Sequence, residues 1–262
     1  MRLATWNVNS LKARLDRVLA WTAVHQPDVL CMQETKLSDA QAPLMAFKAL
    51  GYDLVHHGPG RWNGVAIASR VGISDVVAGI PASDGWTDDG GRFLAATCGS
   101  MRVATVYVPN GRVVDTEPYF AKLEWLDRLA GWLTTVEAAT ELAICGDYNV
   151  APTDEDVWDA AAAHGATHVS PRERAAVARL REWGMFDIVR RFHPEPGFFT
   201  WWDYRAGHFH KNFGMRIDHV YLSPALAPRA IAAERDRDAR KPSTYPGIPS
   251  DHAPLIVDFA DP

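Results

Sequence analysis

The sequence predicts one mixed α/β domain, and three observations carry that prediction. Short apolar bursts rich in β-branched and aromatic residues recur along the chain. Segments with helical apolar spacing fall between some of them. No linker, low-complexity tract or charge block divides the 262 residues.

The first burst, "RLATWNV", is followed by Ser10 and then "LKARLDRVLAWTAVH". That segment places Leu11, Leu15, Val18 and Trp21 or Thr22 near one stripe, so it reads as a helix, and Pro27 closes it. "DVLCMQE", "GVAIAS", "FLAATC" and "MRVATVYV" are the next strands. Helical spacing returns in "EPYFAKLEWLDRLAGWLTTVEAA", through Phe120, Leu123, Leu126, Leu129 and Leu133. "ELAICGD" is a strand. "SPRERAAVARLREWG" then carries a complete set of helix signals: Ser170 at the N-cap, Pro171 at N1, Glu173 at N3 and Gly184 as the stop. "IDHVYLS" and "PLIVDF" complete the strands. Between them "ERDRDARKPS", the most basic tract, alternates in sign and reads as a solvated loop. Helices covering buried sheets suit strands this apolar.

Composition narrows the function classes. The chain is 47% hydrophobic and 23% charged, which is ordinary for a globular protein. A net charge of −5 does not advertise a polyanion partner, so such a site needs a local basic patch or bound cations. Cys31, Cys98 and Cys145 are an odd, scattered set in apolar runs, so they read as core residues, not as a disulfide framework or zinc cluster. The N-terminus lacks a secretory apolar core and no stretch reaches membrane-spanning length. The expectation is a cytoplasmic protein without a membrane partner.

Polar residues interrupt the strand ends. Asn7 and Asn9 flank Val8, Glu34 ends its strand, and Asp147 and Asn149 end another. Asp218 opens one, and Asp251 and His252 precede the last. Residues two apart share a strand face, and carboxylates seldom enter a packed core unpaired. Strand tips gathered at one sheet rim would therefore form a cluster of oxygen ligands. Carboxylates and amides are hard ligands that suit magnesium or manganese over zinc, and magnesium binds through few carboxylates plus substrate phosphate. The chemistry this suggests is phosphodiester hydrolysis, with an Asp activating water and His252 neutralising charge at phosphorus. The Asp251–His252 pair falls in a turn after "YPGIPS", so both side chains can face the site. Either Asp218 or Asp251 could fix the imidazole tautomer. Taken singly, each acid is more often a cap, a turn residue or a solvated charge.

At these residues the sequence resembles the exonuclease III family of abasic-site (AP) endonucleases, within the endonuclease/exonuclease/phosphatase superfamily. The matching stretches include "WNVNSLKAR", "QPDVLCMQETK", "NGVAIASR", "VYVPNG", "GDYNVAPTDED", "NFGMRIDHVYLS" and "PSDHAPLIVDF", in the family's order and over most of the chain. The resemblance implies a four-layer α/β sandwich, two packed mixed β-sheets flanked by helices. It implies a monomeric, Mg2+-dependent (or Mn2+-dependent) DNA-repair hydrolase. Such an enzyme cuts double-stranded DNA 5′ to abasic sites and acts as a 3′-5′ exonuclease or on blocked 3′ ends. Glu34, Asn7 and Asp251 would then hold the metal. Asp147 would activate water, Asn149 would hold the phosphate, and Tyr107 would touch the phosphate or leaving group. Asp218 would orient His252, which would stabilise phosphate charge.

DNA engagement is also read locally. Trp201, Trp202, Tyr204, Arg205, Lys211, Asn212 and Arg216 interleave aromatic and basic residues, which suits phosphate contact and stacking on distorted DNA. One of the two tryptophans is expected in the core. By motif position, Trp201, Met215 and Ile217 would line a pocket for a flipped abasic sugar. Asn110, Arg61 and Arg92 complete the expected DNA contacts, although the two arginines read equally as solvated loop charges. Two departures from the pattern stand out: an extra "TYPGIP" before the last motif, and a short segment after Tyr107 that leans towards endonuclease action. The competing readings are a superfamily phosphodiesterase or phosphatase acting on lipid head groups, and a catalytically silent binding module. The former lacks an evident membrane anchor.

Overall fold

The structure, a computed structural model, describes residues 1–82, 84–88 and 90–260. Its strands are β1 (Arg2–Asn7), β2 (Val29–Gln33), β3 (Asp53–His57), β4 (Val65–Ser69), β5 (Ser74–Ala78) and β6 (Phe93–Cys98). The rest are β7 (Met101–Tyr107), β8 (Leu142–Asp147), β9 (Phe186–Asp187), β10 (Asp218–Leu222), β11 (Ala230–Arg235) and β12 (Leu255–Phe259). They form two six-stranded mixed sheets, ordered β11-β12-β1-β2-β4-β3 and β5-β6-β7-β8-β10-β9. Each sheet contains one parallel pair, β1–β2 and β7–β8. A parallel pair needs a crossover connection, and two long helices supply it: α1 (Leu11–His25) and α2 (Glu117–Leu133).

Strand alternation separates the layers. Leu3, Val29, Cys31 and Ile67 point inward and meet Leu94, Val103, Cys145 and Val220 of the second sheet. Their neighbours Ala4, Leu30, Met32 and Ala66 face outward onto Leu11, Val18 and Trp21 of α1. On the other side Ala95, Ala104, Val106 and Ile144 meet Trp125, Leu126 and Leu129 of α2 and Val177 and Leu180 of α3 (Pro171–Trp183). The order is therefore helix, sheet, sheet, helix, the four-layer sandwich expected. Gln33 crosses the interior and donates to Thr5 and Thr105, tying one sheet to the other. All three cysteines are buried and free.

Helix α3 has the capping box anticipated, with Ser170 accepting from Glu173 N and Gly184 closing the helix in left-handed conformation. Two expectations are corrected. Phe120 is 48% exposed, because the buried stripe of α2 runs through Tyr119, Lys122, Trp125 and Leu126 instead. The "ERDRDARKPS" tract is not a solvated loop throughout. It completes β11, and Arg240 is buried, donating to the carbonyls of Ser250 and Trp202.

Candidate active site

The topology explains why polar strand tips meet. In each parallel pair both strands end at the same rim, which brings Asn7 beside Gln33–Glu34 and Tyr107 beside Asp147. β10 runs antiparallel to β8, so its first residue, Asp218, pairs with Asp147. β12 runs antiparallel to β1 and delivers the Ser250–Pro254 turn to that rim. Isolated bridges join Trp201 to His252 and to Met215.

A cavity of about 180 Å³ opens there, walled by Glu34, Tyr107, Asn110, Asp147, Asn149, His168, Trp201, Ile217, Asp251 and His252. His252 Nδ1 lies 2.8 Å from Asp218 Oδ2, and its Nε2 lies 3.8 Å from Asp147 Oδ2. Asn7 Nδ2 donates to Glu34 Oε1 and to Asp147 Oδ2, each at 2.9 Å. The second Asp147 oxygen accepts from the backbone N–H of Asn149 at 2.8 Å. Asn149 in turn donates to Val108 O and accepts from Asn110.

Electrostatics follow from this geometry. Burial pushes the Asp147 carboxyl up to about 7; His252 opposes the shift, and Asp218 and Glu34 add to it. Burial disfavours the His252 cation, but Asp218 and Asp147 outweigh it and raise the imidazole to about 10. The tautomer question therefore disappears at neutral pH: both ring nitrogens carry protons, Nδ1–H points at Asp218, and Nε2–H faces the cavity. Burial raises the Tyr107 hydroxyl well above its ordinary value, and Glu34 and Asp147 add to this, so it stays a hydrogen-bond donor. Burial and then Lys122 lower His168 to about 4, which makes it a neutral wall.

Local backbone is unusual at the same residues. Glu34 has φ 52° and Asn149 φ 51°, in the left-handed region. Asn tolerates that conformation through its short polar side chain, but Glu rarely does, and such backbone gathers where surrounding structure enforces a functional geometry. Gly146, with φ 143°, precedes Asp147; a Cβ there would lie 2.0 Å from Val106 O. Only glycine lets β8 approach β7 closely enough to place Asp147 beside Tyr107.

The site fits a divalent cation. Ligand atoms of Glu34, Asp147 and His252 lie within 4.8 Å of one another. His252 Nδ1 is committed to Asp218, and a hard cation prefers oxygen, so the Glu34 and Asp147 oxygens are the ligands offered, with the Asn7 amide N–H groups bridging them. Four carboxylates (Glu34, Asp147, Asp218 and Asp251) gather around His252, with Lys36 3.0 Å from Glu34. A cation would relieve that excess of negative charge.

Most sequence-predicted residues converge here, but some do not. Asp251 lines the cavity, yet its oxygens accept from Asn9 and Trp201, and it lies outside the Glu34–Asp147 ligand cluster. Arg216 is corrected: it is 1% exposed and its guanidinium is taken by Asp156, Asp187 and His219, so it cannot reach a phosphate. Arg92 donates to Tyr107 O and Asn63 and sits over the Tyr107 ring at 4.8 Å, which makes it a support for that tyrosine. Arg205 is exposed and paired with Asp203. Lys211 is exposed, Asn212 accepts from Trp202 Nε1, and Arg61 lies over Trp62 on the surface. Trp202 is the core tryptophan, fully buried, whereas Trp201 packs with Met215 and Ile217 at the cavity. Sequence reasoning missed His168 and Lys36, and it named Asn9 without a role. It also missed the buried pair Lys122–Glu173, whose ammonium donates to the carbonyls of Asn149 and Asn110. "QETK" offered a signal for Lys36; nothing local marked His168 or Lys122.

Two packed mixed sheets with carboxylates, amides and one buried imidazolium at a shared rim define a divalent-metal-dependent hydrolase of phosphate esters. The chain belongs to the endonuclease/exonuclease/phosphatase family, whose model matches residues 4–252, and it is a hydrolase of the family's nuclease type. It is similar to exodeoxyribonuclease III of Haemophilus influenzae, at 31% identity over 99% of this chain and 100% of the relative. Among solved structures it is similar to a 3′ phosphatase from Neisseria bound to a product DNA hairpin, with TM-score 0.93 and 37% identity over both full chains. An AP endonuclease from Archaeoglobus fulgidus matches with TM-score 0.92 and 35% identity, again over both full chains. Among the described residues no helix is long and apolar enough to cross a membrane.

Proposed function

We propose that this chain hydrolyses phosphate esters of damaged DNA, cutting 5′ to abasic sites and clearing 3′ ends, with magnesium as its cation. One observation carries the reading: Asp147, His252 and Asp218 form a hydrogen-bonded and charge-paired row, and Glu34 and Asn7 face the same cavity. Glu34, with Asn7 beside it, would hold the cation. When bound, it supplies Lewis-acid neutralisation of the phosphate.

The chain's own groups do the rest. Asp147 orients water and takes its proton. His252 donates its Nε2–H to a phosphate oxygen as negative charge builds, and Asp218 holds the ring for that purpose. Tyr107 directs its hydroxyl at the same phosphate, and Asn149, its amide held by Val108 O and Asn110, fixes the Asp147 carboxylate through its backbone N–H. Trp201, Met215 and Ile217 give an apolar wall against which an extrahelical sugar would rest. The protein acts as a monomer in this reading.

Support for DNA over lipid head groups comes from the named relatives and the aromatic and basic 201–213 surface. A second activity is favoured by the Neisseria likeness: removal of a 3′ phosphate. Purified protein is offered an abasic duplex, a 3′-phosphate duplex and a recessed 3′ end, each with magnesium or EDTA. Cleavage with magnesium and none with EDTA is expected. Intact abasic and 3′-phosphate substrates in magnesium would end the proposal, and turnover of inositol phosphates instead would favour the lipid-type reading.

A further inference from the structure

Beside the site lies an aromatic surface that the chemistry leaves unused. Trp158 is 41% exposed and stacks on Phe213, with ring centroids 4.0 Å apart and planes 14° from parallel. The exposed Lys211 ammonium lies 5.8 Å from the Phe213 ring centroid. These side chains, with Pro196 and Phe199, line a shallow open cavity of about 380 Å³. A stacked aromatic pair with one face open is a flat platform of the kind on which a base can stack.

Its place in the fold points to that use. Trp158 N–H donates to Gly214 O, and its neighbour Val157 bridges to Met215. Met215 bridges to Trp201, and Trp201 bridges to His252. Three successive backbone bridges therefore link the stacked pair to the catalytic turn. An aromatic face with a neighbouring cation has the chemistry that binds a nucleobase and its phosphate.

Resting on the DNA reading above, we propose that Trp158 and Phe213 form a stacking platform for an unpaired nucleobase of the strand beside the scissile phosphate, with Lys211 neutralising its backbone. A base stacked in a duplex has no free face to offer this surface, so the platform discriminates for single-stranded or frayed DNA. Its role is to hold a displaced nucleotide away from the cavity while Asp147 and His252 act.

The test measures fluorescence anisotropy of a labelled oligothymidylate and of a fully paired blunt duplex, with calcium replacing magnesium. Trp158→Ala is expected to weaken oligothymidylate binding by about 5- to 150-fold, the range for loss of one base–aromatic stack. Duplex affinity should stay within about twofold, and Trp158→Phe should restore most of the loss. Retained cleavage of an abasic duplex by Trp158→Ala shows that the fold and the site survive. Unchanged oligothymidylate affinity overturns the platform, and so does an equal loss for both DNAs. If wild-type protein cleaves the duplex but ignores the oligothymidylate, the platform fails while the reading of the active site stands. If it neither binds nor cleaves DNA, both fail.

Discussion

Replacing Lys122 with Met removes a charge that is fully buried. Its ammonium makes three contacts: Asn149 O at 2.7 Å, Asn110 O at 3.3 Å and Glu173 Oε1 at 2.5 Å, and both side chains of the ion pair are 0% exposed. Breaking a buried pair by removing one partner costs about 3–5 kcal/mol, because the other charge stays buried. Glu173 retains donors in Ser170, Thr167 and the His168 N–H, which places Lys122→Met near the lower end, about 3 kcal/mol. With a urea slope of about 3 kcal/mol/M, the unfolding midpoint falls by about 1 M. The loss should also reach catalysis, since the two freed carbonyls belong to Asn149 and Asn110; kcat on abasic DNA should drop about 10- to 100-fold. Adding Glu173→Gln should recover part of the stability, because it removes the stranded carboxylate. A single-variant midpoint within about 0.2 M of wild type, or strict additivity in the double variant, would refute the account of this pair.

Asp218→Asn takes the anion from His252 and should lower kcat about 10- to 100-fold. The alkaline limb of its pH–rate profile should move to lower pH; an unshifted limb would detach His252 from that limb. Gly146→Ala forces a Cβ into Val106 O and should cost at least about 3 kcal/mol in thermal unfolding. In metal-free protein, His252 at about 10 contributes stability that is complete below its ordinary 6.5 and lost as pH rises through 10. Asp147, raised to about 7, binds its proton more tightly folded than unfolded, so stability also falls as pH climbs from about 4 to 7. Both signs agree: urea midpoints without metal should be lower at pH 9 than at pH 5, and added magnesium should raise the pH 9 value. A rising midpoint would contradict the buried charge arrangement.

The eight strands legible in the sequence are the inner strands of the two sheets, and the four that were missed, β3, β5, β9 and β11, are the four edges. An inner strand is covered on both faces and flanked on both sides, so "VAIAS" or "VLCMQ" is wholly buried and advertises itself. "SDVVA" in β5 is mostly exposed and carries no comparable apolar signal. The same logic divides the site. Asn7, Glu34, Asp147 and Asp218 were readable because a polar residue at the tip of an inner strand breaks an otherwise apolar pattern. Arg216 misled because its partners, Asp156 and Asp187, lie 60 and 29 residues away and only the fold brings them to it. Lys122 was hidden in a helix whose apolar spacing drew the inward stripe through Phe120 and Leu123, one position away.

Glu34 and Asn7 come from one sheet, Asp147 and Asp218 from the other, with the Gln33 amide spanning the interface between them. The catalytic row thus straddles a seam, and it has no existence within either half alone. Slippage of one layer against its neighbour by a single side chain would part the base from the cation's other carboxylate before any strand had melted. Heat inactivation should therefore run ahead of the loss of far-ultraviolet ellipticity and keep step with near-ultraviolet signals from the tryptophans, making turnover itself the most sensitive gauge of how well the layers are mated.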